Sequence, residues 1–247
     1  MSNGMVKPIT AGRCGNFLFQ AATAMAYSWR HGIEYTLPNT TNDKFHNPIY
    51  LQHLVNINFD PSLPSVTIQE KEHTYQELPY KKEWEGKNIF LKGWWQTEKY
   101  FKEYRDRIIN EFGFPWKLLK NSVSVHVRRG DYLTLTQKHP FVSKEWYETA
   151  MKQFPGHSFT FFSDDSEWCS MNFRGKNISV STGNSEVTDL IAMSCHTHQI
   201  CSASTFSYWG AWLNRNPNKQ VLIPKLWFQP GRKEDTRDIV PDWMTKL

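Results

Sequence analysis

Two consecutive arginines, Arg128 and Arg129, stand between an apolar run ending at Val127 and the turn Gly130-Asp131-Tyr132. A guanidinium presents a planar fork of donors matched to phosphate oxygens, so a pair of them beside a glycine turn suits a pyrophosphate or another dianion. The plainer alternative is an Arg–Asp pair that closes the turn. His126 lies two residues upstream. Two further polar clusters have the same character, Ser163-Asp164-Asp165 and Ser202-Ala203-Ser204-Thr205-Phe206. Ser204 or Thr205 could cap a following helix and add hydroxyl donors to its free amides, a second anion site. Asp164 and Asp165 invite a metal, yet two carboxylates alone make a poor magnesium site, and helix capping by Asp164 is the competing explanation. Near the start, Gly12-Arg13-Cys14-Gly15-Asn16 forms a glycine-bearing turn feeding a helix, whose free N–H groups can receive an anion. A tight strand-to-helix turn accounts for Gly12 and Gly15 but less well for Arg13 and Asn16.

These residues need elements to position them. Val123, Val125 and Val127 alternate with Ser122, Ser124 and His126, the period-2 pattern of a buried strand, so the arginines sit at its C-terminal end. After it, helices over 143–154, 165–173, 186–195 and 206–214 alternate with strands over 159–163, 178–181, 199–202 and 220–223. That alternation predicts a parallel, doubly wound sheet, with all three clusters on its ligand-binding C-terminal edge. Asp189, on the helix over 186–195, could accept two N–H bonds from guanine in bidentate fashion; an exposed face residue is the alternative. Upstream, Leu18, Ala21, Ala22, Met25, Ala26 and Trp29 predict a helix with one apolar stripe, stopped at Gly32. Strands are expected over 33–37, 66–70 and 88–92, with loop and short helical pieces over 38–64. After Gly93-Trp94-Trp95-Gln96 comes an amphipathic helix over 97–112, striped by Phe101, Tyr104, Ile108 and Phe112. Trp94 and Trp95 could line a sugar groove, with core packing the better assignment for at least one of them. Gly113-Phe114-Pro115 breaks the helix and puts a domain boundary near residue 118.

The formal charge of +5 suits an anionic small ligand and falls short of the basic stripe that nucleic-acid binding requires. The 11 tryptophans fit carbohydrate handling as well as an aromatic core. Cys14, Cys169, Cys195 and Cys201 have no metal-ligand spacing, so reduced, buried cysteines are expected. No long apolar run and no signal-peptide core is present, which points to a soluble, cytoplasmic protein without a membrane span.

At the residues already named, the sequence resembles the α-1,2-fucosyltransferases of glycosyltransferase family 11. The matching stretches are GRCGNFLFQAATAMA, VHVRRGDYL, FFSDDSEWC, GNSEVTDLIAMSC, SASTFSYWGAWLN, IPKLWF and DIVPDWM, in the family's order along nearly the whole chain. Cys14, Phe17 and Tyr208 depart from it, standing where the family commonly has an aliphatic residue, Gln and Trp. The resemblance implies an α/β, GT-B-like architecture: two Rossmann-type halves with parallel sheets facing a nucleotide-sugar cleft. Residues 1–118 would be the acceptor-side domain, 119–225 the GDP-fucose-binding domain and 226–247 a tail packing back across the molecule. It implies inverting transfer of L-fucose from GDP-β-L-fucose to a galactose-containing glycan, most simply as an α-1,2 linkage, with no metal or other cofactor. A GDP-sugar transferase of different linkage and a non-catalytic GDP- or fucose-binding paralogue are the alternatives. Carried over by position, Arg128 would grip the β-phosphate, Arg129 would support it and His126 would orient the nucleotide. Asp189 would read guanine, while Ser204, Thr205 and Phe206 would contact phosphate and base. Gly12, Arg13, Gly15 and Asn16 would reach the fucose and pyrophosphate, Asp164 would join the donor site, and Asp131 is the nearest carboxylate for catalysis.

Overall fold

The computed structural model describes residues 4–38 and 49–247. Most of the early part of the loop expected over 38–64 lies outside the described residues; from residue 49 it begins with a 3-10 turn, Ile49–Leu54. The chain divides into two compact units, Met1–Phe114 with Glu234–Pro241, and Pro115–Lys233 with Asp242–Leu247.

The first unit is built on a parallel sheet of β1 (Met5–Ile9), β2 (Glu34–Tyr35), β3 (Ser65–Gln69) and β4 (Asn88–Lys92), in the order β2-β1-β4-β3. Helix α1 (Cys14–His31) crosses from β1 to β2 and ends at Gly32, whose φ of 66° lets its N–H close on the Ser28 carbonyl. A single apolar stripe understates this helix. Phe17, Phe19 and Tyr27 are buried as fully as Leu18, Ala22 and Met25, and a helix apolar on every side belongs inside a core. The helix expected over 97–112 is α-helical only in its second half, α2 (Arg105–Phe112). Before it come two 3-10 turns, Glu98–Tyr100 and Lys102–Tyr104, separated by Phe101, whose φ of −143° and ψ of −3° are not helical. Tyr100 and Phe101 are both buried, so the apolar spacing is kept while the hydrogen bonding is not.

The second unit carries a six-stranded parallel sheet in the order β10-β9-β8-β5-β6-β7. Its strands are β5 (Leu119–Val127), β6 (Ser158–Ser163), β7 (Ile178–Val180), β8 (His196–Ile200), β9 (Val221–Ile223) and β10 (Thr245–Lys246). Helices α3 (Lys144–Met151), α4 (Ser166–Asn172), α5 (Glu186–Ser194) and α6 (Thr205–Leu213) supply the crossovers. Both faces of β5 are buried from Val123 to Val127. The three valines join Tyr147, Phe159, Phe161, Phe173 and Ile200 in the core, each valine worth about 1.5–3 kcal/mol on burial. Strand β8 begins three residues earlier than expected, because His196, polar in the sequence, is buried against Phe162 with Nδ1 bonded to the Ala192 carbonyl.

Residues 226–247 are shared between the two units. Residues 234–241 belong to the first unit, where Asp238 accepts from Tyr75 N–H and pairs with Lys99 at 2.5 Å. Residues 242–247 belong to the second, where β10 pairs with β9 as a strand that two polar residues do not announce. No helix among the described residues is long and apolar enough to cross a membrane.

Candidate active site

In the second unit the chain runs outward from β5 to β6 and β7 on one side, and through β8 to β9 and β10 on the other. The direction of winding therefore reverses between β5 and β8, and at such a switch point the loops leaving the strand ends part to form a crevice. Arg128 and Arg129 leave β5 there. Arg128 donates from Nη2 to Asp131 at 2.5 Å and from Nη1 to Asp164 at 2.9 Å. Arg129 donates from Nε to Asp165 at 3.0 Å, and its guanidinium lies 4.0 Å over the Trp168 ring. The Arg129 backbone N–H is bonded to the other Asp164 oxygen. A Cβ on Gly130 would come within 2.3 Å of Asp164 Oδ2, so a side chain there would displace the carboxylate that pairs with Arg128.

The turn-closing Arg–Asp pair and the paired guanidiniums are thus both present. Two cations meet three carboxylates, so the cluster offers oriented donors rather than net positive charge. A guanidinium has five N–H bonds. The carboxylates hold two of those on Arg128 and one on Arg129, fixing the planes of both forks and leaving further donors. Asp164 does not cap α4. That role falls to Asp165, which accepts from Trp168 N–H at 3.1 Å, and this frees Asp164 to lock the arginines.

His126 is fully buried, bonded through Nδ1 to Ser202 Oγ at 2.7 Å with its ring beside Phe206. Burial, helped by the Arg128 charge, holds its pKa down to about 3, so the imidazole is neutral near neutral pH. Ser204 caps α6 by accepting from Phe206 N–H, while Thr205 and Phe206 remain half-buried at the helix start. Tyr132 donates its hydroxyl to the Ala203 carbonyl, tying the loop after β5 to the loop after β8. Asp189 sits in the first turn of α5, half-buried, where Oδ1 accepts from Ser181 Oγ at 2.8 Å and from Asn184 at 3.1 Å. Nothing among the described residues bonds its Oδ2. Ser181 follows β7, two strands from β5, or roughly 10 Å along the same edge. The structure thus brings His126, Arg128, Arg129, Asp131, Asp164, Ser204, Thr205 and Phe206 to one edge, with Asp189 farther along it.

The first unit has its own switch point, between β1 and β4. Gly12, at φ 79°, lies under the Asn16 amide, which a Cβ would meet at 2.2 Å. Asn16 Oδ1 accepts from Gln96 at 2.8 Å, and the buried Gln20 bridges Ala11 and the Gly93 carbonyl. Arg13 is exposed and has no side-chain partner among the described residues; Gly15 is buried in the first turn of α1. Cys14 and Phe17, the departures from the family pattern, are core residues of that turn. Glu70, just past β3, accepts from Trp94 N–H at 2.5 Å and Trp95 N–H at 3.0 Å. Burial pushes its carboxyl up to about 7 against the pull of those two bonds. Trp95 has φ of 55°, a conformation costing a bulky residue on the order of 1–3 kcal/mol. Gln20, Gln96 and Glu70 were not singled out from the sequence; Gln20 alone left a trace there, an amide inside an otherwise apolar helix.

All four cysteines are free and buried, and burial pushes the Cys169 and Cys201 thiols up to about 11 and 12. Among the described residues no three His, Cys, Asp or Glu side chains are grouped to hold a metal ion.

A family model described as Glycosyl transferase family 11 matches residues 10–246. This chain belongs to glycosyl transferase family 11. The family 11 chain is 31% identical over 160 residues to an alpha-1,2-colitosyltransferase of Escherichia coli, covering 56% of the chain and 55% of that protein. It is 33% identical over 124 residues to the O-antigen biosynthesis glycosyltransferase WbnK, also of Escherichia coli, covering 46% of the chain and 41% of that protein. The chain thus spans about half the length of the curated relatives it matches. Among solved structures, POFUT1 in complex with GDP aligns with a TM-score of 0.52 at 13% identity, over 91% of this chain and 99% of that one. POFUT1 in complex with GDP-fucose aligns at 0.51 and 13%, over 89% and 97%. At that identity the likeness is one of fold, and it agrees with the α/β, GT-B-like class expected from the sequence.

Proposed function

We propose that this family 11 chain transfers L-fucose from GDP-β-L-fucose to a galactoside with inversion, forming an α-1,2 linkage, and needs no divalent cation. The observation that carries the reading is the pair of carboxylate-braced guanidiniums at the β5/β8 switch point, beside the Ser204-capped start of α6. As the glycosidic C–O bond breaks, the sugar takes on oxocarbenium character and negative charge gathers on the β-phosphate. Donors already fixed in place stabilise that charge more than they stabilise the bound donor, which lowers the barrier. Arg128 takes the β-phosphate, and Arg129 backs it. Asp131 fixes the Arg128 fork, and His126, neutral, orients the nucleotide. Ser204, Thr205 and Phe206 contact phosphate and base, and Asp189 offers its open Oδ2 to guanine. Asp164 locks both arginines. Gly12, Arg13, Gly15 and Asn16 are assigned to the donor sugar through the family resemblance.

A second reading keeps the linkage and changes the sugar, since one relative is by name a colitosyltransferase. Incubation with GDP-fucose or its colitose counterpart and a panel of galactosides, with NMR of the products, tests both. An α-linked 2-O-fucosyl galactoside is expected. A β-linked product, a different position of linkage or preference for colitose removes the corresponding part of the assignment.

A further inference from the structure

The loop after β4 is built with more care than a connection needs. Its first residue, Gly93, accommodates Glu70, whose side-chain atoms would lie 2.4 and 2.7 Å from a Cβ there. Both carboxylate oxygens of Glu70 are occupied by the successive N–H groups of Trp94 and Trp95. Trp95 takes the left-handed conformation, and its ring is buried edge-on to Tyr100 at 5.3 Å. Gln96 turns back to Asn16 through Nε2, while its buried Oε1 has no hydrogen-bond partner among the described residues. Turning Trp95 inward turns its neighbour outward. The Trp94 side of the loop is 37% exposed, and no ring contact or hydrogen bond among the described residues engages its indole.

An exposed indole whose backbone N–H is fixed by a half-buried carboxylate, at the C-terminal edge of a sheet and next to its switch point, is a platform with no task in the fold. An indole face is a broad apolar surface and its N–H a single donor, the combination that receives the C–H face of a pyranose while reaching one hydroxyl. We propose that Gly93–Gln96 is the seat of the acceptor sugar, with Trp94 as the stacking platform for a galactoside and Glu70 as the positioning residue that holds it. The proposal rests on the transferase reading and names where that reaction's acceptor is bound.

The test separates the two. Saturation-transfer NMR with methyl β-galactoside reads sugar binding directly, and the thermal shift with GDP reads the donor site. The intact chain should give transfer to the galactoside ring protons. Trp94→Ala should weaken that signal about fivefold, and Trp94→Phe, which keeps an aromatic face, should restore most of it. Glu70→Ala should match Trp94→Ala, and Glu70→Gln, which keeps one carbonyl acceptor, should fall between. Where turnover is measured, the same variants should raise the acceptor KM and leave the donor KM unchanged. The GDP shift should be the same in all of them. Undiminished galactoside binding by Trp94→Ala, a galactoside silent with the intact chain, or a GDP shift lost together with sugar binding would each overturn the seat. Galactoside binding through Trp94 without transfer from any GDP-sugar would support the seat and overturn the function.

Discussion

The two units solve one topological problem with opposite chemistries. Each has a parallel sheet whose winding reverses between two central strands, β1 and β4 in the first, β5 and β8 in the second. At the second edge the loops are tied by charge: two guanidiniums, three carboxylates, and an imidazole kept neutral by burial. At the first they are tied by neutral amides, Gln20 to Ala11 and Gly93 and Gln96 to Asn16, and by one carboxylate that accepts only backbone N–H groups. A leaving diphosphate needs fixed cations, whereas a neutral sugar needs an apolar face and a few hydrogen bonds. Under the proposed function, the donor's phosphates go to the second edge and the acceptor to the first.

The comparison breaks most visibly at Arg128. Lysine there keeps a charge and loses the fork, so Arg128→Lys should lower kcat by about 10²–10³-fold with little change in melting temperature. Rates within a few-fold of the parent would show that the second edge does not do the chemistry assigned to it. Asp131→Asn is expected to do less, about tenfold in kcat, with GDP binding unchanged or tighter because a carboxylate that competes for Arg128 is gone. A loss as large as that of Arg128→Lys, together with a vanished ionisation in the pH–rate profile, would instead make Asp131 the base.

Two titrations sharpen the contrast through stability. His126 has a folded-state pKa of about 3, below its ordinary 6.5, so the folded protein binds fewer protons than the unfolded chain between those values. Its contribution is present above pH 6.5 and is lost as the pH falls toward 3, so His126→Asn should flatten the acid side of a melting-temperature curve. Glu70, at about 7 against an ordinary 4.5, has the opposite sign. Its contribution is present below 4.5 and lost as the pH rises through 7, so the melting temperature of Glu70→Gln should gain on the parent between those values. A constant difference would show that Glu70 does not titrate there.

Much of the second edge was legible because its signals are local. Alternating valines place a strand, the arginines follow it, and Ser204 precedes an aromatic helix that it caps. The partners of Arg128 were half-legible. Asp131 is three residues away, but Asp164 comes from the next strand, and only the β5–β6 pairing decides that it locks arginines while Asp165 caps the helix. The first edge was less legible for the same reason. Glu70 and Trp94 are far apart in sequence and meet because β3 and β4 pair in parallel register. The helix expected over 97–112 failed on backbone geometry, since apolar spacing survives a non-helical residue such as Phe101 and helical hydrogen bonds do not.

The central claim is that Arg128 and Arg129 hold a guanosine diphosphate without help from a cation. Thermal shift with GDP, ADP and UDP in the presence of EDTA tests it most directly, comparing the parent with Arg128→Ala. The account predicts stabilisation of the parent by GDP alone, about 5 °C or more at hundredfold excess over Kd, undiminished by EDTA and lost in the variant. Equal stabilisation of parent and variant, or a shift that disappears with EDTA, would contradict it.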